Sequence, residues 1–136
     1  MSIPTALHVG AALIIRNDQV LIAQRPNMNP GEPSWEFPGG KVEPGESLVD
    51  CLIRELKEEM NLTLQVHRYL LSSVHFSLHR ILFLHGYWCS TEDDPLTLQA
   101  HLAYRWVSPQ EIELSQLLPL DRPFALVLRQ NGRFSL

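Results

Sequence analysis

Cysteine is scarce in this chain: of 136 residues only Cys51 and Cys89 are cysteines, and no CxxC spacing joins them. A disulfide-stapled scaffold is therefore not needed, and both thiols are expected to be reduced. Basic residues are also in the minority, 11 Lys and Arg against 15 Asp and Glu, for a formal net charge of −4. Affinity for polymeric nucleic acid comes from clustered Lys and Arg that displace counterions, so a nucleic-acid polymer is not expected as the main partner. A small phosphorylated ligand stays compatible with that charge, because a divalent cation held by acidic side chains presents positive charge to it. Long apolar runs are missing too. Residues 10–15 and 81–84 are each cut short by Arg or His, well before the roughly 20 residues that a bilayer span requires. The first ten residues hold neither a basic n-region nor a long apolar h-region, so no secretory signal is expected and the expected compartment is the cytoplasm.

What is present is ordinary globular material, 45% hydrophobic and 19% charged. A chain of this length suits one domain, residues 1–136, burying roughly two thirds of its unfolded surface. Residues 8–15 and 20–24 are apolar and β-branched around the turn Arg16-Asn17-Asp18-Gln19, which predicts a β-hairpin. The Pro- and Asn-rich residues 25–34 predict a surface loop, followed by a short extended Trp35-Glu36-Phe37-Pro38 and a break in regular structure at Gly39-Gly40. From Ser47 the period changes: Ser47 and Asp50 form a capping-box-like start, and Val49, Leu52, Ile53, Leu56 and Met60 recur at helical spacing. The helix should end at Asn61, a residue tolerated in the left-handed conformation that closes helices. Strands are predicted over residues 62–74, 79–89 and 103–107, with a turn at Thr91-Glu92-Asp93-Asp94-Pro95. Ser108-Pro109-Gln110-Glu111 reads as a capping box opening a short helix, and Asp121 as the cap of another from Arg122 to about Gln130, with Gly132 past its end. The fold class is α+β.

The residues that carry chemistry lie on the central helix. On a helical wheel with Val49 at zero, the apolar residues fall within about 60° of the origin, and Glu58, Glu55 and Glu59 near about 180°, 240° and 280°. Like charges at these spacings repel by a few tenths of a kcal/mol per pair, and something must offset that. Solvent with Arg54 and Lys57 is one offset; a divalent cation is the other. Carboxylate oxygens without neighbouring Cys or His suit Mg²⁺ or Mn²⁺, which complete their shell with water and substrate phosphate. The chemistry such a site suits is hydrolysis of a diphosphate linkage, with a carboxylate accepting the proton of a water.

The spacing Gly40, Glu46, Arg54, Glu55, Leu56, Glu58, Glu59 and Leu62 resembles the Nudix box, G-x5-E-x7-R-E-U-x-E-E-x-G-U with U aliphatic. Eight of nine specified positions match and Asn61 replaces the last glycine; chance would give such a match on the order of once in a million chains of this length. Trp35-Glu-Phe-Pro-Gly-Gly-Lys-Val-Glu-Pro-Gly-Glu46, the opening Gly10-Ala-Ala-Leu-Ile-Ile-Arg16 and Leu-Ile-Ala-Gln-Arg25 are similar to the MutT branch of that family. The resemblance implies an α/β/α sandwich with a mixed sheet, and a Mg²⁺-dependent enzyme (Mn²⁺ being the other candidate) that turns a nucleoside triphosphate into monophosphate and pyrophosphate. It implies metal ligands at Glu55, Glu58, Glu59 and the Gly39 carbonyl, with Glu46 and Arg54 bracing the loop against the helix. On the substrate side it implies Arg25, Glu36, Phe37, Pro38, Gly39 and Lys41, and Asp121 where MutT has a base-reading Asn.

For Arg25 a solvated hairpin end, and for Asp121 a plain helix cap, are the alternatives. If it reads a base, an ionised Asp121 accepts hydrogen bonds, which favours N–H-rich edges such as the cytosine amino group or guanine. Some MutT relatives acting on pyrimidine nucleotides have an Asp similarly placed, and that resemblance implies that CTP-like substrates compete with 8-oxo-dGTP. Relatives often carry a Glu about six residues before the Trp of the last strand; Ala100 stands there, which leaves Glu55 as the base, with His101 or the loop acids Glu92, Asp93 and Asp94 as alternatives. His67, His75, His79 and His85 show no metal-ligand spacing, and Trp35 and Phe76 are the aromatics expected beside the nucleotide loop. The expected partner is a small nucleotide, with no membrane, for a monomer or homodimer. A Nudix-fold binding module without turnover and a hydrolase of dinucleoside polyphosphates are the competing readings.

Overall fold

The computed structural model describes residues 3–94 and 97–131. Pro95 of the expected turn and Gly132 beyond the expected last helix lie outside the described residues. Strand β1 (Thr5–Arg16) turns into β2 (Gln19–Gln24) through Asn17 and Asp18, both at positive φ, 53° and 61°. That pair of left-handed residues makes the tight hairpin turn whose twist matches the strands it joins. The two strands pair at Ile15 with Val20 and at Arg16 with Gln19. Further along, a strap made of β3 (Trp35–Glu36) and β4 (Gly39–Lys41) lies between them. β3 pairs with β2 at Ala23 and Gln24, and β4 pairs with β1 at Val9, Gly10 and Ala11. At the crossing the Pro38 carbonyl accepts the Ala12 N–H at 2.8 Å.

Gly39-Gly40 is thus a strand, not the break expected from its composition. The correction has a steric cause: a Cβ on Gly39 would stand 1.9 Å from the Gly10 carbonyl oxygen, so only glycine lets this ladder close.

The remaining strands, β5 (Gln65–Phe76), β6 (Arg80–Ser90) and β7 (Ala103–Val107), complete a mixed seven-stranded sheet. β1 runs parallel to β6 along ten register pairs, β5 pairs antiparallel with β6, and β7 with β2. Helix α1 (Leu48–Met60) packs Leu52, Leu56 and Met60 on Ala12, Ile14 and Leu21 of one sheet face. Helix α2 (Arg122–Asn131) packs Phe124, Ala125 and Leu128 on Ala11, Leu13 and Leu84 of the other. β1 is buried without interruption from residue 10 to 15 because it is covered on both faces, which is why its sequence is apolar rather than alternating. This is the expected α+β arrangement, a mixed sheet between helices. No helix among the described residues is long and apolar enough to cross a membrane.

α1 begins and ends as its sequence predicts. Ser47 Oγ accepts the Asp50 N–H at 3.0 Å, and Asn61 adopts φ 54°, ψ 38°, with its own N–H on the Lys57 carbonyl and that of Leu62 on the Leu56 carbonyl. The buried side of α1 is nevertheless rolled away from the apolar stripe. Cys51 is fully buried and the Glu55 side chain is 16% exposed, whereas Val49 and Ile53 are 36% and 41% exposed. Two further expectations are corrected. Residues 109–111 form only a 3-10 turn, because the Ser108 hydroxyl donates to the Glu111 carboxylate at 2.6 Å instead of capping backbone. Asp121 ends a 3-10 turn (Pro119–Asp121) and precedes α2, but its carboxylate oxygen Oδ1 accepts the N–H of Phe37, 84 residues away, at 2.9 Å.

If Asn61 serves only to supply the left-handed closure, Asn61→Gly should leave stability within about 0.5 kcal/mol of the parent, while Asn61→Ala should cost about 1 kcal/mol. Urea unfolding midpoints of the two variants check this; equal midpoints would show that the conformation is not what Asn61 contributes.

Candidate active site

The loop between β4 and α1 is tied to the helix by one guanidinium. Arg54 donates from Nε and Nη2 to the two Glu46 carboxylate oxygens at 2.7 and 2.9 Å, and from Nη2 to the Lys41 carbonyl at 3.3 Å. This forked pairing fixes both groups in one plane. It holds the Glu46 carboxyl down at about 2, first through the Arg54 hydrogen bonds and then through the Glu43 backbone, and it raises Arg54 further above its ordinary value. The Nη1 of Arg54 also reaches Glu55 at 2.8 Å and Glu58 at 3.2 Å.

The carboxylate side of α1 meets the sheet at Gly40. A Cβ there would fall 2.3 Å from the Glu55 carboxyl carbon, so the second glycine of the strap is a cradle for that side chain. Glu59 lies one turn on. Its Oε2 is buried with no hydrogen-bond partner, and its carboxyl is pushed well above the usual range by burial first and by the facing Glu55 second. An unpaired buried carboxylate beside a second one is a costly arrangement that a cation would relieve. Hard oxygens are the donors here, so the chemistry of the set fits a divalent ion of the Mg²⁺ type. Among the described residues, no three His, Cys, Asp or Glu side chains converge closely enough to hold an ion in their present rotamers. The reason lies in Arg54, toward which Glu55 and Glu58 are both turned.

Beside this ridge opens a cavity of about 860 Å³. Its floor is apolar, from Val9 on β1 and Leu82 and Leu84 on β6, and its far wall is residues 118–121. Six polar groups of interest reach it: Arg25, Glu36, Glu59, His75, His101 and Asp121. Gly39 and Phe37 also line it, and Phe37 sits edge-on to Phe124 at 6.2 Å between ring centroids.

Several sequence expectations land elsewhere. Pro38 is buried at the strap crossing, and Lys41 is exposed on β4; neither lines the cavity. Trp35 lies outside the cavity, with the Arg105 guanidinium 4.7 Å over its ring, and Phe76 is 72% exposed at the end of β5. Asp93 accepts the Thr63 N–H and Asp94 pairs with Arg16, at the closed end of the β1–β2 hairpin, away from the cavity; exposed Glu92 does not line it either. Those loop acids therefore cannot serve the site as bases. His101, by contrast, belongs to the site. Strand alternation does not govern it, because β7 starts only at Ala103; Ala100 and His101 both line the cavity from a loop. Its Nε2 lies 2.9 Å from Glu36 Oε2. Nothing in the spacing of residues 36 and 101 announces this contact, nor the place of His75 on the rim.

Comparison with known proteins agrees with the geometry. A family model described as NUDIX domain matches residues 6–128. Over 117 residues the chain is 38% identical to the CTP pyrophosphohydrolase of Escherichia coli strain K12, covering 86% of this chain and 87% of that protein. It is 44% identical over 57 residues to the 8-oxo-dGTP diphosphatase of Proteus vulgaris, 41% of this chain and 51% of that protein. Among solved structures, the E. coli ORF135 protein superposes with a TM-score of 0.78 at 37% identity, covering 97% of this chain and 96% of that one. The MutT protein of methicillin-resistant Staphylococcus aureus 252 gives 0.76 at 32%, covering 96% and 100%.

The buried acid at the cavity's far wall yields a pH test. Asp121 is 4% exposed, and burial pushes its carboxyl up to about 8, with Glu36 adding to the rise and the Phe37 N–H and Arg25 opposing it. Its folded value thus lies above the ordinary 3.8, so its protonated form favours the fold: the contribution is complete below pH 3.8 and is lost as pH rises through about 8. Asp121→Asn keeps the acceptor for Phe37 and cannot ionise. Its melting temperature relative to the parent should therefore rise between pH 5 and pH 9, by roughly 4 °C or more. A constant difference across that range would show that Asp121 ionises as readily folded as unfolded.

Proposed function

The chain belongs to the NUDIX family, and from that membership we propose a divalent-metal-dependent hydrolase that cleaves a nucleoside or deoxynucleoside triphosphate to monophosphate and pyrophosphate. The observation that carries this reading is the buried, partnerless Glu59 oxygen of a residue lining the cavity that Asp121 also lines. The Glu59 oxygen suits a metal–polyphosphate, and Asp121 suits a base. About 860 Å³ is ample for one nucleotide.

Glu55, Glu58, Glu59 and the Gly39 carbonyl would hold Mg²⁺, or Mn²⁺ in its place. When bound, such an ion supplies charge neutralisation for the polyphosphate and a lowered pKa for a coordinated water. Arg54 and Glu46 keep the loop and helix at fixed separation. Glu55, seated against Gly40, takes the proton of the attacking water as the bond between the α and β phosphates breaks. Arg25 is the one Lys or Arg among the described residues lining the cavity, and it meets the nucleotide's negative charge. Asp121 and Glu36 face the base. With its carboxyl raised to about 8, Asp121 carries a proton at neutral pH and donates as well as accepts. A base edge offering an amino group beside an acceptor fits this pair, which favours CTP or dCTP; 8-oxo-dGTP is the second candidate, because the Proteus vulgaris relative is an 8-oxo-dGTP diphosphatase.

Product analysis with Mg²⁺ over the common triphosphates, 8-oxo-dGTP and a diadenosine polyphosphate should find monophosphate and pyrophosphate from CTP or dCTP. Glu58→Gln should lower kcat by about a hundredfold or more with an unchanged melt, because its side chain is 61% exposed and its pairing with Arg54 adds little stability. Silence across the panel with Mg²⁺ and Mn²⁺ alike would overturn the reading in favour of a module that binds nucleotide without turnover.

A further inference from the structure

Three acids, Glu36, Glu59 and Asp121, share the cavity with a single arginine among its described lining residues. Glu59 and Asp121 line the same cavity as Glu36, so three carboxyl groups share one confined space. A carboxylate so placed is driven toward solvent unless something holds it. The Glu36 side chain is nonetheless 23% exposed and lines the cavity, and its contact is His101 Nε2 at 2.9 Å. An ionised carboxylate only accepts, so Nε2 carries the hydrogen and donates it.

The imidazole is itself rigidly delivered. The Gln99 N–H donates to the Glu59 carbonyl at the end of α1 at 2.9 Å, and the Leu102 N–H to the Gln24 carbonyl at the end of β2 at 2.8 Å. His101, between those two anchors, has a side chain only 3% exposed. Its Nδ1 is buried and has no hydrogen-bond partner, an unusual cost for a ring that only packs. The backbone of the strap is fixed as well, by Ala23 opposite Glu36 and by Asp121 on the Phe37 N–H. With the backbone so held, the Glu36 rotamer stays soft, and the His101 contact restrains it.

We propose that His101 is a positioning residue that holds the Glu36 carboxylate inside the cavity, against Glu59 and Asp121, so that its other oxygen reads an amino group on the bound base. This rests on the nucleotide reading above. Without His101 the carboxylate swings outward, and the loss falls on recognition rather than on the chemical step.

Steady-state kinetics with CTP and UTP separate the possibilities, since uracil offers a carbonyl where cytosine offers its amino group. His101→Ala should raise KM for CTP about tenfold, change kcat far less, and narrow the preference for CTP over UTP. His101→Gln, whose amide N–H reaches as far as Nε2, should restore the parent values, and the shorter His101→Asn should not. In a Glu36→Gln background His101→Ala should add little, because the two act as one unit. Equal KM changes for both nucleotides, a loss confined to kcat, or a full effect in the Glu36→Gln background would overturn the inference. Should the parent hydrolyse no triphosphate, the proposed function fails by itself. Calorimetric titration with CMP then decides the inference: a Kd about tenfold weaker for His101→Ala upholds it, and equal behaviour of the two proteins overturns it. Melting curves identify a variant that merely fails to fold, and the Gln and Asn pair then carries the comparison.

Discussion

The structure turns on the insertion of one short strap between two strands of a hairpin. β1 and β2 pair beside their turn, and residues 35–41 occupy the space beyond, bonded to β2 on one side and to β1 on the other. Insertion at this distance demands a backbone without side chains at Gly39 and Gly40: one would strike the Gly10 carbonyl and the other the Glu55 carboxylate. Everything functional is referenced to that strap. Glu36 and Phe37 stand on its cavity side, Gly40 sits under the carboxylate face of α1, and the loop that follows carries Glu46 to Arg54. A shift of the strap would move the carboxylate face of α1 and the Glu36 side of the cavity together.

The charge pattern follows the same geometry. Arg54 saturates the outer acids, and its fork leaves Glu46 strongly ionised. Among the described residues, Arg25 is the one Lys or Arg that lines the cavity with the inner ones. Asp121 is buried and Glu59 half-buried, both with carboxyls pushed up chiefly by burial, and Glu36 lines the same cavity with the His101 imidazole 2.9 Å away. Structural stability alone would not place Glu59 and Asp121 where they are, because withdrawing a carboxyl from water without a cationic partner is unfavourable. The fold tolerates them through the two large apolar clusters that hold the helices on either face of the sheet.

Local signals in the sequence were reliable wherever the interaction that determines the structure is itself local. The Asn17-Asp18 turn, the Ser47 cap and the Asn61 closure each depend on a few adjacent residues, and each is found as expected. The spacing of the acids on α1 was legible for the same reason, since three and four residues make neighbours on any helix. Expectations failed where a distant partner competes for a residue. Asp121 has the local grammar of a helix cap, yet its carboxylate goes to Phe37. Ser108 spends its hydroxyl on a side chain. Gly39-Gly40 has the composition of a break and the steric requirement of a strand, and only the nearness of Gly10 and Glu55 reveals which applies. The pairing of Glu36 with His101 spans 65 positions and leaves no periodic trace.

The roll of α1 shows how the same competition is settled energetically. Its apolar stripe is centred near Val49, yet the helix turns so that Cys51 and Glu55 face the strap and Val49 and Ile53 stay partly in water. Full burial of those two would add roughly 1 kcal/mol each, a modest gain. Against it stands the close fit at Gly40, where the Cys51 thiol reaches the Gly40 carbonyl at 3.4 Å and the Glu55 carboxylate fills the space a Cβ would take. Rotating the helix to bury its whole stripe would withdraw Glu55 and Glu59 from the sheet and empty the cradle. A hydrophobic pattern thus specifies that α1 is an amphipathic helix, and a pair of glycines on another element decides which way it faces.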